Sequence, residues 1–329
     1  MKGMKKVGNI LATGVALIAV LIYYFLSGGA TGEQTVPVSE PSVSTEATSA
    51  AASETASTSD EPSAKPPSSK TPPPDLGSDV LTVTFIDIGQ GDSELIQLGD
   101  SAVLIDSGEY EKRNVVINTL ESLGVKKLDL VIATHPHADH MGSMSAIIDH
   151  FEIERIMMPN AVATTVAFEK MLQSIQNKGL KIDRPIAGTD VQAGEITLHI
   201  FAPNSEKYSD VNNYSIIAKL EHGNVSFLFT GDAEALSEKE VLAKEFDASA
   251  DVLKLGHHGS SSSTSPDFLA AVGPKLAVIS CGAGNTYGHP HRETMAKMNE
   301  GGIELYRTDL SGTITMKTDG EEIYVSTEK

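Results

Sequence analysis

The sequence predicts an α/β (α+β) architecture over residues 79–329, preceded by an N-terminal signal or membrane anchor at 1–30 and a disordered linker at 31–78. Three observations predict it. From Val80 onward, short β-like runs alternate with segments of helical spacing, the pattern of a layered α/β unit. An apolar run, Ile10–Leu26, follows Lys2, Lys5 and Lys6. Between the two lies a stretch rich in Ser, Thr, Ala, Pro and Glu.

The N-terminal elements come first. A basic flank followed by an apolar run reads as a targeting segment, oriented with its C-terminal side outside. The run is at the short edge of a spanning helix. Ser27-Gly28-Gly29-Ala30 supplies small residues suited to cleavage, so the segment is an anchor or a cleaved signal. Either way the expected location is extracytoplasmic, membrane-anchored or secreted. The linker lacks the bulky apolar side chains that would offset the entropy of ordering it. Pro66-Pro67 and Pro72-Pro73-Pro74 stiffen its end.

The elements of 79–329 follow in order. Leu81–Ile88, Glu94–Leu98 and Ala102–Ile105 read as strands between turn residues. Val115–Leu123 has helical spacing and stops at Gly124. Leu128–Ala133 is a continuous apolar run, suited to a strand buried on both faces. Met144–His150 is helix-like. Further strands are expected at Arg155–Met158, Thr197–Ala202, Tyr214–Leu220, Ser226–Thr230, Val252–Leu255, Leu276–Ser280, Glu304–Thr308 and Thr313–Thr318. Helices are expected at Val166–Lys178, Leu236–Lys244, Pro266–Val272 and Arg292–Asn299.

A formal net charge of −19 argues against a protein built around a basic nucleic-acid face. It leaves open a phosphate-handling enzyme whose metal ions supply local positive charge. The single cysteine, Cys281, permits neither an intramolecular disulfide nor a cysteine-based zinc knot, and it reads as a small buried apolar residue.

The chemistry lies in the histidines and acids. His135-Pro136-His137-Ala138-Asp139-His140 places four metal-competent side chains directly after a buried strand. Pro136 opposes helix there, so the segment is a loop at a strand's C-terminal end. In extended backbone His135 and His137 point the same way, while Asp139 and His140 turn toward a neighbouring point. Imidazole and carboxylate suit zinc or manganese. Seven of ten histidines fall in three short clusters, 135/137/140, 257/258 and 289/291. His150, His199 and His222 read as ordinary surface histidines.

Thr230-Gly231-Asp232 ends a hydrophobic run, and Asp232 is placed to bridge two cations. Asp251–Ser260 delivers His257 and His258 at another strand tip. His257 is favoured as a metal ligand and His258 as a partner of a phosphoryl oxygen. Because adjacent strand residues point oppositely, a shared role requires Gly256 or Gly259 to distort the backbone. Lys254 is expected to pair with substrate phosphate. His289, in Gly288-His289-Pro290-His291, is expected to ligate or to protonate a leaving group. His291 reads as a surface residue. The glycine loop Asp87–Ser93 brings Gln90 and Asp92 to the substrate side, with Asn213 and Ser260 as further contacts. Asp106, at the end of Ala102–Ile105, reads as a scaffold that orients the histidine loop.

Together these motifs resemble the metallo-β-lactamase superfamily, with His135–His140, Asp106, Asp232 and a late histidine in the family's order. Phe85–Asp92, Asn212-Asn213-Tyr214-Ser215, Thr230–Asp232, Leu253–Ser260 and Tyr287–Pro290 resemble more closely the C-terminal hydrolase domain of ComEC-type DNA-uptake competence proteins. The resemblance implies a four-layer αββα sandwich with two divalent metal ions, zinc or manganese, at one edge. It also implies nuclease-like phosphodiester hydrolysis. His135, His137 and Asp232 would hold one ion. Asp139, His140, Asp232 and a late histidine would hold the other. A hydroxide held by the ions would attack phosphorus, with Asp139 orienting it and His258 or His289 stabilising charge or protonating the leaving oxygen.

Two departures qualify the resemblance. ComEC proteins carry a multi-spanning channel domain, whereas this chain has one apolar segment, so DNA transport does not carry over. Asn212-Asn213 stands where the superfamily usually has a further histidine. Rival readings are hydrolysis of an amide, lactone or thioester, surface phosphocholine or teichoic-acid cleavage, and a non-catalytic binding module. The expected partners are a phosphodiester substrate, with single-stranded DNA among the candidates, and the membrane through the N-terminal segment.

Overall fold

The computed structural model describes residues 79–329; the anchor and linker expected over 1–78 lie outside the described residues. Among the described residues no helix is long and apolar enough to cross a membrane.

Strands β1 (Leu81–Phe85), β2 (Glu94–Leu98) and β3 (Ser101–Ile105) form an antiparallel meander. Helix α1 (Arg113–Ser122), β4 (Lys127–Leu128), β5 (Leu130–Ile132), the one-turn α2 (Ala138–Met141) and α3 (Met144–His150) come next. β6 (Glu152–Ile153), β7 (Ile156–Met157), α4 (Val166–Asn177) and β8 (Ile182–Asp183) complete the first half. The second half runs β9 (Thr189–Ala193), β10 (Ile196–Ala202), β11 (Ile217–His222), β12 (Val225–Phe229), α5 (Ala235–Ala243) and β13 (Val252–Lys254). It continues with α6 (Pro266–Val272), β14 (Leu276–Ile279), α7 (Arg292–Glu300), β15 (Glu304–Arg307) and the short α8 (Thr308–Ser311). β16 (Ile314–Thr318) and β17 (Ile323–Thr327) then return to the first sheet.

Two mixed sheets result, ordered β17-β16-β1-β2-β3-β5-β7-β8 and β15-β14-β13-β12-β11-β10-β9. Alternating side chains of both meet face to face, where Val83, Phe85, Ile105, Leu198, Phe227 and Phe229 form the central core. The rings of Phe85 and Phe229 lie 6.3 Å apart across it. The opposite face of the first sheet packs Leu95, Leu104 and Val131 on α1, α3 and α4 through Val116, Leu120, Ile147 and Phe168. The second sheet packs Leu228, Leu253 and Ala277 on α5, α6 and α7 through Val241, Phe268 and Met298. This is the expected αββα sandwich.

Several boundaries differ from the sequence reading, each for a local reason. The apolar run Leu128–Ala133 is interrupted at Asp129, whose Oδ2 accepts the Ala102 amide at 2.9 Å. Only Leu130–Ile132 therefore joins the main sheet, while β4 pairs with β6. Tyr214, expected to open a strand, instead ends a 3-10 turn, Val211–Tyr214, in which the Asp210 side chain accepts from Asn212 N and its carbonyl from Asn213 N. The edge strands β9 and β17 escape sequence reading because few of their residues are buried.

β12, β13, β14 and β15 are mutually parallel, as are β3, β5, β7 and β8. Ligand sites gather at the carboxyl ends of such strands. Here β1, β3, β5, β12, β13 and β14 all end at one rim of the sandwich.

Candidate metal centre

The histidine loop leaves β5 as Thr134 and enters α2 at Ala138, so His135 to His140 occupy one turn at the rim. His135 and His140 are buried, while His137 is exposed. Asp232 follows β12 through Gly231, at φ +50°. There is little room for a larger residue at 231, because a Cβ would lie 3.0 Å from the Thr134 hydroxyl. His257 and His258 follow β13 in a 3-10 turn, Gly256–Gly259. Both histidines are themselves left-handed, at φ +50° and +54°. The distortion that lets neighbours share one site thus sits in the histidines as well as in the flanking glycines, at an energetic cost usual for functional sites.

Two groups of candidate ligand atoms converge. His135, His137 and Asp232 form one, and His140, Asp232 and His258 belong to the other. Asp232 is common to both. His135 Nε2 lies 3.0 Å from His137 Nδ1, and His140 Nε2 lies 3.3 Å from His258 Nε2. Asp139 Oδ2 is 3.2 Å from the same His258 nitrogen.

The rear nitrogens explain which atoms face inward. His140 Nδ1 donates to Asp106 Oδ2 at 2.7 Å. His258 Nδ1 donates to the Ser280 carbonyl at 3.0 Å. His135 Nδ1 lies 3.2 Å from Thr134 Oγ1 and 3.3 Å from Ser215 Oγ. Each ring whose rear nitrogen is so committed presents its Nε2 lone pair to the centre. Ring nitrogens that face one another across about 3 Å need a proton or a metal ion between them. Asp232 Oδ1, buried without a hydrogen-bond partner, has the same need. The donor set therefore fits divalent metal, and nitrogen with carboxylate oxygen suits zinc or manganese equally.

The electrostatics agree. Burial opposes a charged imidazole at His258, but the Asp232 and Asp92 carboxylates push it up to about 10. His140 is likewise drawn well above its ordinary value against burial, by Asp232, Asp106 and Asp139. Burial and the charge of His140 hold His135 well below its own. The four acids make the pocket an attractor of positive charge.

Asp106 takes the orienting place expected of it. It is fully buried at φ +55°, and its Oδ1 accepts the Thr134 amide at 2.8 Å and Oδ2 the Thr134 hydroxyl at 2.6 Å. His289 borders the centre, its ring 5.3 Å from His257 and 6.1 Å from His258. Its Nδ1 is buried and has no hydrogen-bond partner. Tyr287, 64% exposed, stacks on His289 at 5.6 Å.

The structure places six further residues of the sequence reading as follows. His258 rather than His257 closes the buried ligand group; His257 is only partly buried, with Nε2 3.8 Å from Asp232 Oδ2, beside the first group. Lys254 is buried and pairs with Asp92 Oδ2 at 2.8 Å, so it does not face the cleft. Asp92 is equally buried and lies 3.3 Å behind His258, at Nδ1. It is within reach of the second group, but from the rear of the ring. Asn213 is a helix-end partner: its Oδ1 accepts the Ser237 amide of α5 at 3.1 Å. Ser260 is buried against Ser262. Gln90 ties two rim loops, accepting the Gly282 amide at 3.2 Å. The sequence reading missed Ser215, whose hydroxyl accepts the Asp232 amide at 3.1 Å and touches His135. Its signal was its place in Asn212-Asn213-Tyr214-Ser215.

Comparison with known proteins follows this geometry. Residues 86–283 match the Metallo-beta-lactamase superfamily. ComE operon protein 3 of Bacillus subtilis (strain 168) is 35% identical over 250 residues, covering 70% of this chain and 32% of that protein. Competence protein ComA of Neisseria gonorrhoeae is 30% identical over 234 residues, covering 70% and 31%. The chain thus spans about a third of the length of these relatives. Among solved structures, the metallo-beta-lactamase fold protein YhfI from Bacillus subtilis superposes with a TM-score of 0.51. It covers 73% of this chain and 100% of that one at 14% identity, a likeness of fold.

Proposed function

The chain belongs to the metallo-β-lactamase superfamily of metal-dependent hydrolases, and from that membership we propose that it is a phosphodiesterase, acting as a nuclease on DNA or on another phosphodiester. The observation that carries this reading is the sharing of Asp232 between two ligand groups, with His257 and His289 standing beside them. Divalent ions bound there would polarise a phosphoryl oxygen and make water a competent nucleophile near neutral pH. His135, His137 and Asp232 would hold the first ion; His140, Asp232 and His258, with Asp139 beside them, would hold the second. Asp106 and the Ser280 carbonyl fix the proton on the rear nitrogens of His140 and His258.

His289 supplies a donor or acceptor at the leaving oxygen. Burial and the neighbouring His258 hold it down to about 4, so its ring is neutral and able to hydrogen-bond the leaving oxygen. Exposed Tyr287, stacked on His289, offers a ring face to a nucleobase. The aspartate at 232, where zinc β-lactamases with a cysteine ligand have a thiol, weighs against β-lactam hydrolysis. The basic flank and apolar run at 2–26 support an extracytoplasmic, membrane-attached enzyme.

The full chain is incubated with zinc or manganese and, in parallel, single-stranded DNA, bis-p-nitrophenyl phosphate, nitrocefin and a lactone. Turnover of the first two, abolished in Asp139→Ala, is the expected result. Turnover of only nitrocefin or the lactone would overturn the phosphodiester reading.

A further inference from the structure

Lys254 and Asp92 stand 162 positions apart, on β13 and on the glycine loop after β1, yet they meet at 2.8 Å with both side chains 1% exposed. Lys254 Nζ also donates to the Leu255 carbonyl at 3.2 Å. An apolar pair of similar volume usually serves the stability of a buried site as well as an ion pair does. A packing role therefore does not account for the charges.

The loop is held as tightly as the pair. The Asp92 amide donates to the Asp139 carbonyl at 3.1 Å, and the Asp92 carbonyl accepts the Gly108 amide at 3.0 Å. Gly91, at φ +120°, lies so close that a Cβ would fall 2.1 Å from the Asp139 carbonyl oxygen. The backbone on both sides of Asp92 is thus fixed against the histidine loop. Lys254 occupies Oδ2, and Oδ1, without a hydrogen-bond partner, points to within 3.3 Å of His258 Nδ1.

We infer that Lys254 and Asp92 are a positioning couple for His258: Lys254 orients the Asp92 carboxylate, and Asp92, with the Ser280 carbonyl, keeps the His258 proton on Nδ1 and aims Nε2 at the second metal. The inference rests on the two-ion reading of the centre. It assigns the pair a task at the ligand it backs, not at the substrate. A carboxylate behind a ligating imidazole raises the ligand's basicity and fixes its orientation, and losing it typically weakens metal affinity about 10- to 100-fold.

The test uses full chains of wild type, Asp92→Asn, and the apolar double variant Asp92→Leu/Lys254→Met. Binding of zinc and of manganese is titrated by calorimetry, alongside thermal melts and bis-p-nitrophenyl phosphate hydrolysis. Asp92→Asn is expected to bind the second equivalent roughly 10- to 100-fold more weakly while the first changes little. The double variant is expected to melt near wild type and to show the same selective loss. Wild-type binding of both equivalents by the double variant would reduce the couple to a replaceable structural pair and overturn the inference. Failure of both variants to fold would do the same, by making the couple part of the core. A wild-type chain that binds fewer than two ions would instead overturn the two-ion reading, a result separable from either.

Discussion

Replacing Asp106 by asparagine tests whether the rear hydrogen bond of His140 governs the centre. The carboxylate accepts three hydrogen bonds: the Thr134 amide at 2.8 Å, the Thr134 hydroxyl at 2.6 Å and His140 Nδ1 at 2.7 Å. Asparagine has one acceptor oxygen. Turned to satisfy the Thr134 amide, it places an NH2 group where Oδ2 stood. The Thr134 hydroxyl can reverse and accept; the His140 Nδ1–H cannot. His140 then relieves the clash by carrying its proton on Nε2, which removes the lone pair facing His258 and Asp232. Two weakened bonds to a charged acceptor are worth about 1.5–3 kcal/mol each. The desolvation of a buried carboxylate, no longer paid, offsets part of that. A net loss of ~2–3 kcal/mol corresponds to a fall in Tm of roughly 4–12 °C for a domain of this size.

The functional loss is larger than the structural one. Misorienting a ligand's partner costs about 10- to 100-fold in affinity or activity, and fixing the wrong imidazole tautomer has cost on the order of 10⁴ in a serine protease. Thr134→Val is the control: it deletes the 2.6 Å bond and the Thr134 contact with His135 Nδ1, which Ser215 Oγ still reaches at 3.3 Å, but leaves the His140 acceptor intact. Metal content after dialysis, phosphodiester turnover and thermal melts are compared for both variants. The reasoning is refuted if Asp106→Asn retains metal and turnover as Thr134→Val does.

Two further predictions concern the frame of the site. Gly91→Ala places a methyl 2.1 Å from the Asp139 carbonyl at a backbone conformation of φ +120°; the strain and clash are expected to cost at least about 2–3 kcal/mol in urea melts and to depress metal affinity, and an unchanged midpoint would show that the loop is not fixed there. Asp251 is pushed up by burial, but Lys275 at 2.8 Å and the Ser226 amide at 3.0 Å hold it below its ordinary value. Because its folded pKa is the lower one, its stabilisation is full above the unfolded carboxylate value of about 3.9 and disappears as pH falls through the folded one. Asp251→Asn should therefore flatten the acid limb of stability below about pH 4 while lowering ΔG at pH 7; parallel acid limbs in urea melts would contradict this.

Much of the centre was legible in the sequence because metal chemistry concentrates it. His135, His137, Asp139 and His140 sit within six residues after one buried strand. Asp232 and the paired histidines end two others, and short parallel strands leave such tips at a common rim. The αββα layering was legible as a resemblance carried by those motifs. Less legible was anything decided by backbone conformation or by contacts between distant residues. The sequence reading favours His257 over His258 as ligand, but two consecutive left-handed residues abolish the strand alternation that bears on the choice. Lys254 looked like a phosphate contact because nothing local announces Asp92 as its partner. Asn213 looked like a substrate contact, but it completes the end of α5. The edge strands β9 and β17 bury too few residues to show a clear alternation.

The return of β16 and β17 to β1 has a consequence for assembly during synthesis. The sheet that bears the histidine loop stays open at one side until residues 314–327 have been made. The opposing acid and imidazole, Asp232 and His258, arrive from the other half of the polypeptide more than ninety positions after His140. A ribosome-bound intermediate therefore displays His135 to His140 without counterparts and without a finished sheet to hold them. An ion held jointly by His140, Asp232 and His258 would be captured only after both sheets have closed, and such long-range pairings make that closure slow.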